Sequence, residues 1–202
     1  MPKKLTLLLL FSFVISCYSQ RNVVLIIADD LGRDYCDIYP DHGTSVVNLT
    51  NVRRLLTRGV VFNNAWSNPL CSPTRAGILT GRYSFRTGVG DVVDGSNNKL
   101  SLNENIIPKM LNLYSPNGIS KACIGKWHLG WDWAFKNEPS GEVKQWGSLR
   151  KVYLPGDIDW SEPIAGGPLS RGFDYYFGDG TINFPPYAWV ENDRIIEAPT
   201  QK

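Results

Sequence analysis

Two adjacent carboxylates, Asp29 and Asp30, follow an apolar run rich in β-branched residues near the start of the chain. Neighbouring like charges repel each other and are costly to desolvate, so such a pair becomes favourable when a cation compensates it. A hard divalent ion with oxygen ligands is suited to that role. The pair is therefore a candidate metal site, and an exposed acidic turn is the alternative.

A second candidate lies in residues 68–81, Asn-Pro-Leu-Cys-Ser-Pro-Thr-Arg-Ala-Gly-Ile-Leu-Thr-Gly. Cys71 is expected at a helix N-terminus, where free N–H groups and the helix dipole favour an anion. Arg75 follows one turn later on the same face, and its guanidinium can bind a tetrahedral oxyanion bidentately. Cys71 and Arg75 are closer than in the loop of cysteine-dependent phosphatases. A buried, inert cysteine beside a surface arginine is the alternative.

A third candidate is the pair Lys126 and His128 in Gly-Lys-Trp-His-Leu-Gly at residues 125–130. On an extended exit from a strand, residues two apart point to the same side, so both side chains can face one site. A Lys-x-His pair is usually only a surface feature. Beside the Cys71 segment, we interpret it as functional.

The segments around these residues resemble known signatures. Cys71 to Arg75, followed by Ala-Gly-Ile-Leu-Thr-Gly, resembles the signature of type I sulfatases, which belong to the alkaline-phosphatase-like superfamily. Residues 118–130 are similar to the family's second signature, with Ile119 in place of the usual aromatic residue. Residues 171–178 resemble a further recurrent segment, in which we interpret Asp174 as a cap or turn residue. The resemblance extends over residues 22–197.

The resemblance implies a nucleophile and a cofactor. Cys71 would be oxidised to formylglycine by a formylglycine-generating enzyme. One hydroxyl of the hydrated aldehyde would attack the sulfur of a sulfate ester, and the second would then expel the sulfate. One calcium ion, held by Asp29, Asp30 and the modified Cys71, would polarise the sulfate oxygens.

The resemblance also implies the other catalytic roles. Arg75 would steady the modified residue, Lys126 would hold the sulfate, and His128 would hydrogen-bond formylglycine and assist proton movement. Sulfatases are usually much longer and add further calcium ligands, another lysine and another histidine from later segments. His42 is the only other histidine here, and no matching segment follows residue 180. The expectation is the N-terminal portion of a catalytic domain, with little turnover alone.

The elements that must position these residues follow from periodicity and from Gly and Pro signals. Strand, helix and strand alternate, which predicts an α/β layered fold with a largely parallel sheet. The resemblance implies the alkaline-phosphatase-like form of that fold, here truncated, which is a layered sandwich with a mostly parallel or mixed central sheet flanked by helices. The predicted elements are a buried parallel strand at 22–28, a helix at 48–58 before Gly59, a strand at 60–62, helices at 72–80 and 103–113 (capped by Ser101 or Asn103), a strand at 119–125, and a hairpin at 188–191 and 194–197. Residues 131–169 have no clear period and are predicted to form a long surface excursion.

Residues 1–20 have the pattern of an export signal, so the domain is expected at 21–202. Lys3 and Lys4 precede an apolar run at 5–15 that is too short to span a bilayer. The sequence around Cys17 also resembles a lipoprotein box, which would give a lipid anchor instead of plain cleavage. We therefore expect an exported protein that is secreted, periplasmic or lysosomal.

Charge and cysteine content narrow the function further. Without the signal, 19 basic and 19 acidic residues remain, so there is no large basic field to gather nucleic acid. Cys36, Cys71 and Cys123 are the remaining cysteines, and an odd number leaves at least one unpaired. Whether Cys36 and Cys123 pair stays open.

Two other functions remain as alternatives. One is a phosphodiesterase or phosphonate hydrolase of the same superfamily, and the other is a non-catalytic glycan-binding protein on a sulfatase scaffold. The substrate is open between sulfated glycans and aryl sulfates. Four aromatic residues are candidates for stacking on sugar rings or for the core, namely Trp131, Trp133, Trp146 and Trp189.

Overall fold

The computed structural model describes residues 22–39, 43–44, 47–94, 99–115, 118–145, 147–180 and 186–198. The predicted signal with Cys17 lies outside these ranges, as do His42 and Trp146. The chain divides into two compact units, Met1–Val61 and Phe62–Lys202, which are described separately. Within the described ranges, no helix is both long and apolar enough to cross a membrane.

The first unit begins with an exposed apolar segment. Residues 22–28 form no strand, and Val23, Val24 and Ile26 are 89%, 81% and 81% exposed. The prediction of a buried parallel strand is therefore wrong for this structure. Such a strand needs a ladder partner and covered faces, and no strand in the described ranges pairs with this segment. The predicted strand at 60–62 is also absent, and Val60 and Phe62 are exposed.

A short 3-10 helix, Arg33–Tyr35, and helix α1, Thr50–Leu56, are the helices described in this unit. The 48–58 prediction is right in type but too long, and no residue of α1 is buried. Asp37 fixes the start of α1: it accepts a hydrogen bond from Leu49 N at 3.1 Å and forms an ion pair with Arg53.

The second unit carries helices α2, Cys71–Thr80, α3, Ser84–Thr87, and α4, Ile107–Tyr114. Helix α2 confirms its prediction, including the stop at Gly81, which has a left-handed φ of 66° and donates from its N–H to Gly77 O at 2.9 Å. Helix α4 begins later than predicted, and neither Ser101 nor Asn103 caps it. It starts where a proline occupies the first turn, a position that suits proline.

A mixed four-stranded sheet lies beside these helices, in the order β1-β4-β5-β6. Strands β1 and β4 are parallel, and the other neighbouring pairs are antiparallel. The sheet confirms the α/β class with a mixed sheet, and β5 and β6 confirm the predicted hairpin. The strands are Ala122–Ile124 (β1), Tyr175–Asp179 (β4), Trp189–Glu191 (β5) and Arg194–Ile195 (β6).

Residues 131–169 are more ordered than the surface excursion that was predicted. They contain a two-stranded antiparallel hairpin, β2 (Gly141–Gln145) and β3 (Ser148–Val152). Trp131, Ile158 and Ile164 are at most 4% exposed. Residues 131–169 thus contribute to the core. The sequence did not predict this, because turns separate the apolar residues and leave no regular period.

The core packs around the segment that follows β1. Trp127 and Leu129, on either side of His128, are both buried in it. A smaller cluster joins Val92 and Val152 to Leu70, the residue before α2. The other buried core members are Ala76, Val89, Val93, Leu100, Ile106, Trp131, Ile164, Tyr176 and Val190.

Candidate active site

Cys71 is the first residue of helix α2. Leu70 before it is extended, with φ −128° and ψ 152°, and no side chain caps the helix. The first-turn N–H groups of such a helix have no intrahelical acceptor, so the positive end of the helix lies beside the half-buried Cys71 side chain. This is the placement that the sequence predicts.

Hydroxyl groups hold the first turn of α2 in place. The buried Ser72 Oγ accepts a hydrogen bond from Val93 N at 3.0 Å, and Thr74 Oγ1 donates to Asn68 O at 3.0 Å. The Asn68 side chain in turn accepts from Ser84 Oγ at 3.0 Å. Sequence reasoning did not assign roles to Ser72 and Asn68, although both lie in the segment that it selected.

The thiol of Cys71 lies against an imidazole. Cys71 Sγ is 3.2 Å from His128 Nδ1, a contact between residues 57 positions apart. His128 is only 1% exposed. Either group can carry the shared proton, depending on the imidazole tautomer. A group that can give and take a proton therefore touches the side chain of residue 71.

Arg75 contacts the same segment through its main chain. Its Nη1 donates to Lys126 O at 2.6 Å, and the Lys126 side chain is half-buried. The charge of Arg75 also acts on Cys123: burial raises the pKa of that thiol to about 11, and Arg75 partly opposes the rise. The structure thus joins Cys71 to His128 and Arg75 to the backbone of Lys126.

The backbone at His128 is not extended as predicted. His128 has a left-handed φ of 57°, which is uncommon for a residue other than glycine. The main chain after β1 continues to bond to the end of β4, with Trp127 N donating to Asp179 O at 3.2 Å and His128 N to Gly180 O at 2.8 Å. The imidazole therefore reaches Cys71 from a left-handed residue just beyond the strand and not from extended backbone.

Asp29 and Asp30 lie in the first compact unit. Both are exposed, and Asp30 has a left-handed φ of 55°. Across the ranges that the structure describes, no group of three or more His, Cys, Asp or Glu side chains is arranged to hold a metal ion. The two carboxylates have the oxygen chemistry for a hard cation, but they are only part of a ligand set.

Asp174, the residue before β4, is linked to the residue before β1 through hydrogen bonds. Its Oδ2 accepts hydrogen bonds from Lys121 N and from Lys121 Nζ, each at 2.8 Å. These bonds lower the pKa of the Asp174 carboxyl below its ordinary value. Asp174 thus anchors the start of β4 to the residue before β1, in keeping with the structural interpretation.

Cysteines and aromatics complete the comparison with the sequence. The three described cysteines all have free thiols, so Cys36 and Cys123 do not pair. Trp131 belongs to the core, whereas Trp189 is 58% exposed and stacks on Phe177 at 5.6 Å. Trp189 is therefore the better placed of these two for contact with a ligand.

The fold and the Cys71–His128 contact define an α/β protein with a candidate hydrolytic centre, and the comparisons name its family. The family model described as Sulfatase matches residues 21–193. The chain belongs to the sulfatase family.

Relatives agree with this assignment. The chain is 35% identical to human arylsulfatase H and 31% identical to its dog counterpart, in each case over 79% of this chain and 25% of the relative. It is 29% identical to the N-acetylgalactosamine-6-O-sulfatase of Bacteroides thetaiotaomicron over 88% of this chain and 30% of the relative. The chain therefore spans about a quarter of the length of these curated relatives.

A solved structure is also similar. It is described under the metabolism of multiple glycosaminoglycans by Bacteroides thetaiotaomicron, and it aligns with a TM-score of 0.53 at 27% identity. The alignment covers 73% of this chain and 26% of that chain. The likeness supports the alkaline-phosphatase-like, layered α/β class that the sequence predicts.

Proposed function

We propose that this chain supplies the nucleophile and its proton-transfer partner for the hydrolysis of sulfate esters. The observation that carries the proposal is the contact of 3.2 Å between Cys71 Sγ and His128 Nδ1 at the start of helix α2. It joins the two family signatures, 57 residues apart, at a helix end suited to an anion.

Each residue has a role that its contacts support. Formylglycine made from Cys71 would supply a hydroxyl nucleophile. His128 Nδ1, which touches the side chain of residue 71, would accept or return the proton of that hydroxyl. Arg75 would hold the Lys126 backbone by donating to its carbonyl oxygen, and the Lys126 ammonium would bind a sulfate oxygen. The first-turn N–H groups of α2 would add partial positive charge.

The family also implies a calcium ion. Asp29 and Asp30 offer the hard oxygen donors that calcium prefers, and the modified residue 71 would be a further ligand. When bound, the ion would supply a positive charge that polarises the sulfate. Because these residues are only part of the calcium shell that the family implies, we propose that the chain of 202 residues binds calcium weakly and turns over slowly on its own.

We propose sulfated glycans or aryl sulfates as substrates. Two relatives carry glycan names, the N-acetylgalactosamine-6-O-sulfatase of Bacteroides thetaiotaomicron and the rat N-acetylgalactosamine-6-sulfatase. The exposed Trp189, stacked on Phe177, presents an aromatic face of the kind that packs on sugar rings. An extracellular or lysosomal polymer would also suit export through the signal at 1–20, with or without a lipid anchor at Cys17.

Modification of Cys71 is the first test. We would produce the chain together with a formylglycine-generating enzyme and measure peptide masses at each cysteine. The expected result is an aldehyde or its hydrate at position 71 and plain thiols at Cys36 and Cys123, which serve as internal controls. A plain thiol at position 71 in the natural host would contradict the proposal.

Turnover separates the hydrolase classes. The modified chain, with calcium added, would be assayed with an aryl sulfate and with the matching phosphate ester, and Cys71→Ala would set the background. We expect sulfate release above that background, at a low rate. Faster release of phosphate would favour the phosphodiesterase or phosphonate hydrolase alternative, and glycan binding without any release would favour the non-catalytic one.

A further inference from the structure

Arg171 is a buried arginine, and each of its three guanidinium nitrogens donates to a main-chain carbonyl. It ends the 3-10 helix Leu169–Arg171 and is 2% exposed. Its Nε donates to Gly166 O at 3.0 Å, its Nη1 to Ser101 O at 2.9 Å, and its Nη2 to Leu100 O. Burial lowers the pKa of Arg171 to about 10. Because desolvating a guanidinium is costly, these three bonds define one position for it.

The contacts of Arg171 extend to both neighbours of His128. The guanidinium lies 5.8 Å above the ring of Trp127. Leu100, whose carbonyl accepts from Arg171, donates from its own N–H to Leu129 O at 3.2 Å. Arg171 therefore contacts the residue before His128 directly and is linked to the residue after it through Leu100.

His128 needs such support because of its backbone. Its φ of 57° is a left-handed conformation, which is strained for a residue with a side chain and persists only when the surroundings determine it. An extended conformation at position 128 would redirect the imidazole. The contact between Nδ1 and Cys71 Sγ therefore depends on the backbone at positions 127–129.

We propose that Arg171 is a positioning residue that holds His128 in its left-handed conformation and so keeps the imidazole against the side chain of residue 71. Arg171 acts through Leu100, Leu129 and Trp127 and is not itself a catalytic residue. The proposal rests on the role given above to His128. It concerns a geometric contact, however, and can be tested without turnover.

The experiment measures how far a change at residue 71 shifts the NMR signal of the His128 ring. The chain has only two histidines, so a His42→Gln variant assigns the carbon–proton cross-peak of the His128 ring in the unmodified chain. Cys71→Ser should shift that cross-peak in the parent chain. In an Arg171→Met background, the shift caused by Cys71→Ser should fall by about half or more.

Two further variants separate positioning from loss of structure. Arg194→Met is the matched control, because Arg194 also donates from Nη1 to a carbonyl, Ser161 O at 3.0 Å, but is linked to a different loop. In this variant, Cys71→Ser should shift the His128 cross-peak as much as in the parent chain. Arg171→Lys keeps the charge but not the planar fork of donors. It should reduce the cross-peak shift that Cys71→Ser causes, in a chain whose melting temperature is close to that of the parent.

The outcomes are distinct. A full response in folded Arg171→Met or Arg171→Lys would overturn the proposal, as would an absent response to Cys71→Ser in the parent chain. If Arg171→Met does not fold, Arg171→Lys decides alone. A chain that releases no sulfate but shows the expected spectra would contradict the proposed function and leave the positioning role standing.

Discussion

Helix α2 and the segment at 22–28 had equally clear sequence patterns, yet only one formed the predicted element. The hydrogen bonds that fix the ends of helix α2 come from residues nearby in the sequence, namely Asn68, Gly81 and Val93. The apolar segment at 22–28 forms no regular element and is mostly exposed. A helix satisfies its own backbone, whereas a strand requires a partner. The difference teaches that pattern alone is sufficient only where the hydrogen-bond partners are local.

The largest effect is expected where the strand partner is present. In β4, a Cβ at Gly178 would lie 2.1 Å from Gly125 O, which is backbone and cannot move aside easily. Gly178→Ala should therefore lower the free energy of unfolding by about 3 kcal/mol and loosen the segment after β1 that carries His128. Denaturant titration would measure the change.

Gly90→Ala is the matched control for Gly178→Ala, because a Cβ at position 90 meets no atom within 4 Å. Its free energy of unfolding should lie within about 0.5 kcal/mol of the value for the parent chain. Equal midpoints for the two variants would show that β1 and β4 do not approach as closely as described.

The second effect tests the support of α2 itself. Ser72→Ala removes the acceptor of Val93 N in a fully buried position, and an orphaned buried N–H costs about 1–3 kcal/mol. We expect a loss of that size in a denaturant titration. Ser84→Ala is the comparison: Ser84 Oγ is a donor to the side chain of Asn68, and its loss should cost less. A neutral Ser72→Ala would mean that α2 does not depend on this bond.

The sequence predicted the parts of the fold whose signals are local. Pro73 and Gly81 delimit α2, and Asn192, with a left-handed φ of 59°, makes the predicted turn of the final hairpin. The left-handed backbone at His128 carries no such signal, because its hydrogen-bond partners are distant in sequence: His128 N donates to Gly180 O, and Leu100 N donates to Leu129 O. The proximity of Cys71 and His128 could be expected from the family resemblance but not from their spacing.

The third prediction concerns the thiol of Cys123, which lies in strand β1 of the second unit. Burial raises the pKa of Cys123 from 9.0 to about 11, which lowers its thiolate fraction by about a hundredfold near neutral pH. Iodoacetamide should therefore alkylate Cys123 about a hundredfold more slowly in the native chain than in the denatured chain. Peptide masses after timed quenching would measure both rates.

The same shift in the pKa of Cys123 has a stability consequence. The unfolded chain releases this proton at lower pH than the folded chain, so the free energy of unfolding should fall as pH rises from about 9 towards about 11. Cys123→Ser should remove that part of the pH dependence. Equal alkylation rates in native and denatured chains would show that the thiol is accessible.

The smallest effect is expected in the exposed segment, and it decides whether the comparison holds. Val24 is 81% exposed, so Val24→Thr should change the free energy of unfolding by less than about 0.5 kcal/mol. Val190→Thr is the matched substitution, made in β5 at a residue that is 0% exposed. Burying that hydroxyl should cost about 1–3 kcal/mol. Denaturant titration of both variants under one condition gives the difference.

A Val24→Thr variant that loses as much stability as Val190→Thr would show that residues 22–28 are packed in solution and have found a partner. The sequence pattern would then have been right about the strand, and the contrast with α2 would disappear. A neutral Val24→Thr beside a costly Val190→Thr would mean that an apolar run acquires the energetics of a strand only when it has a ladder.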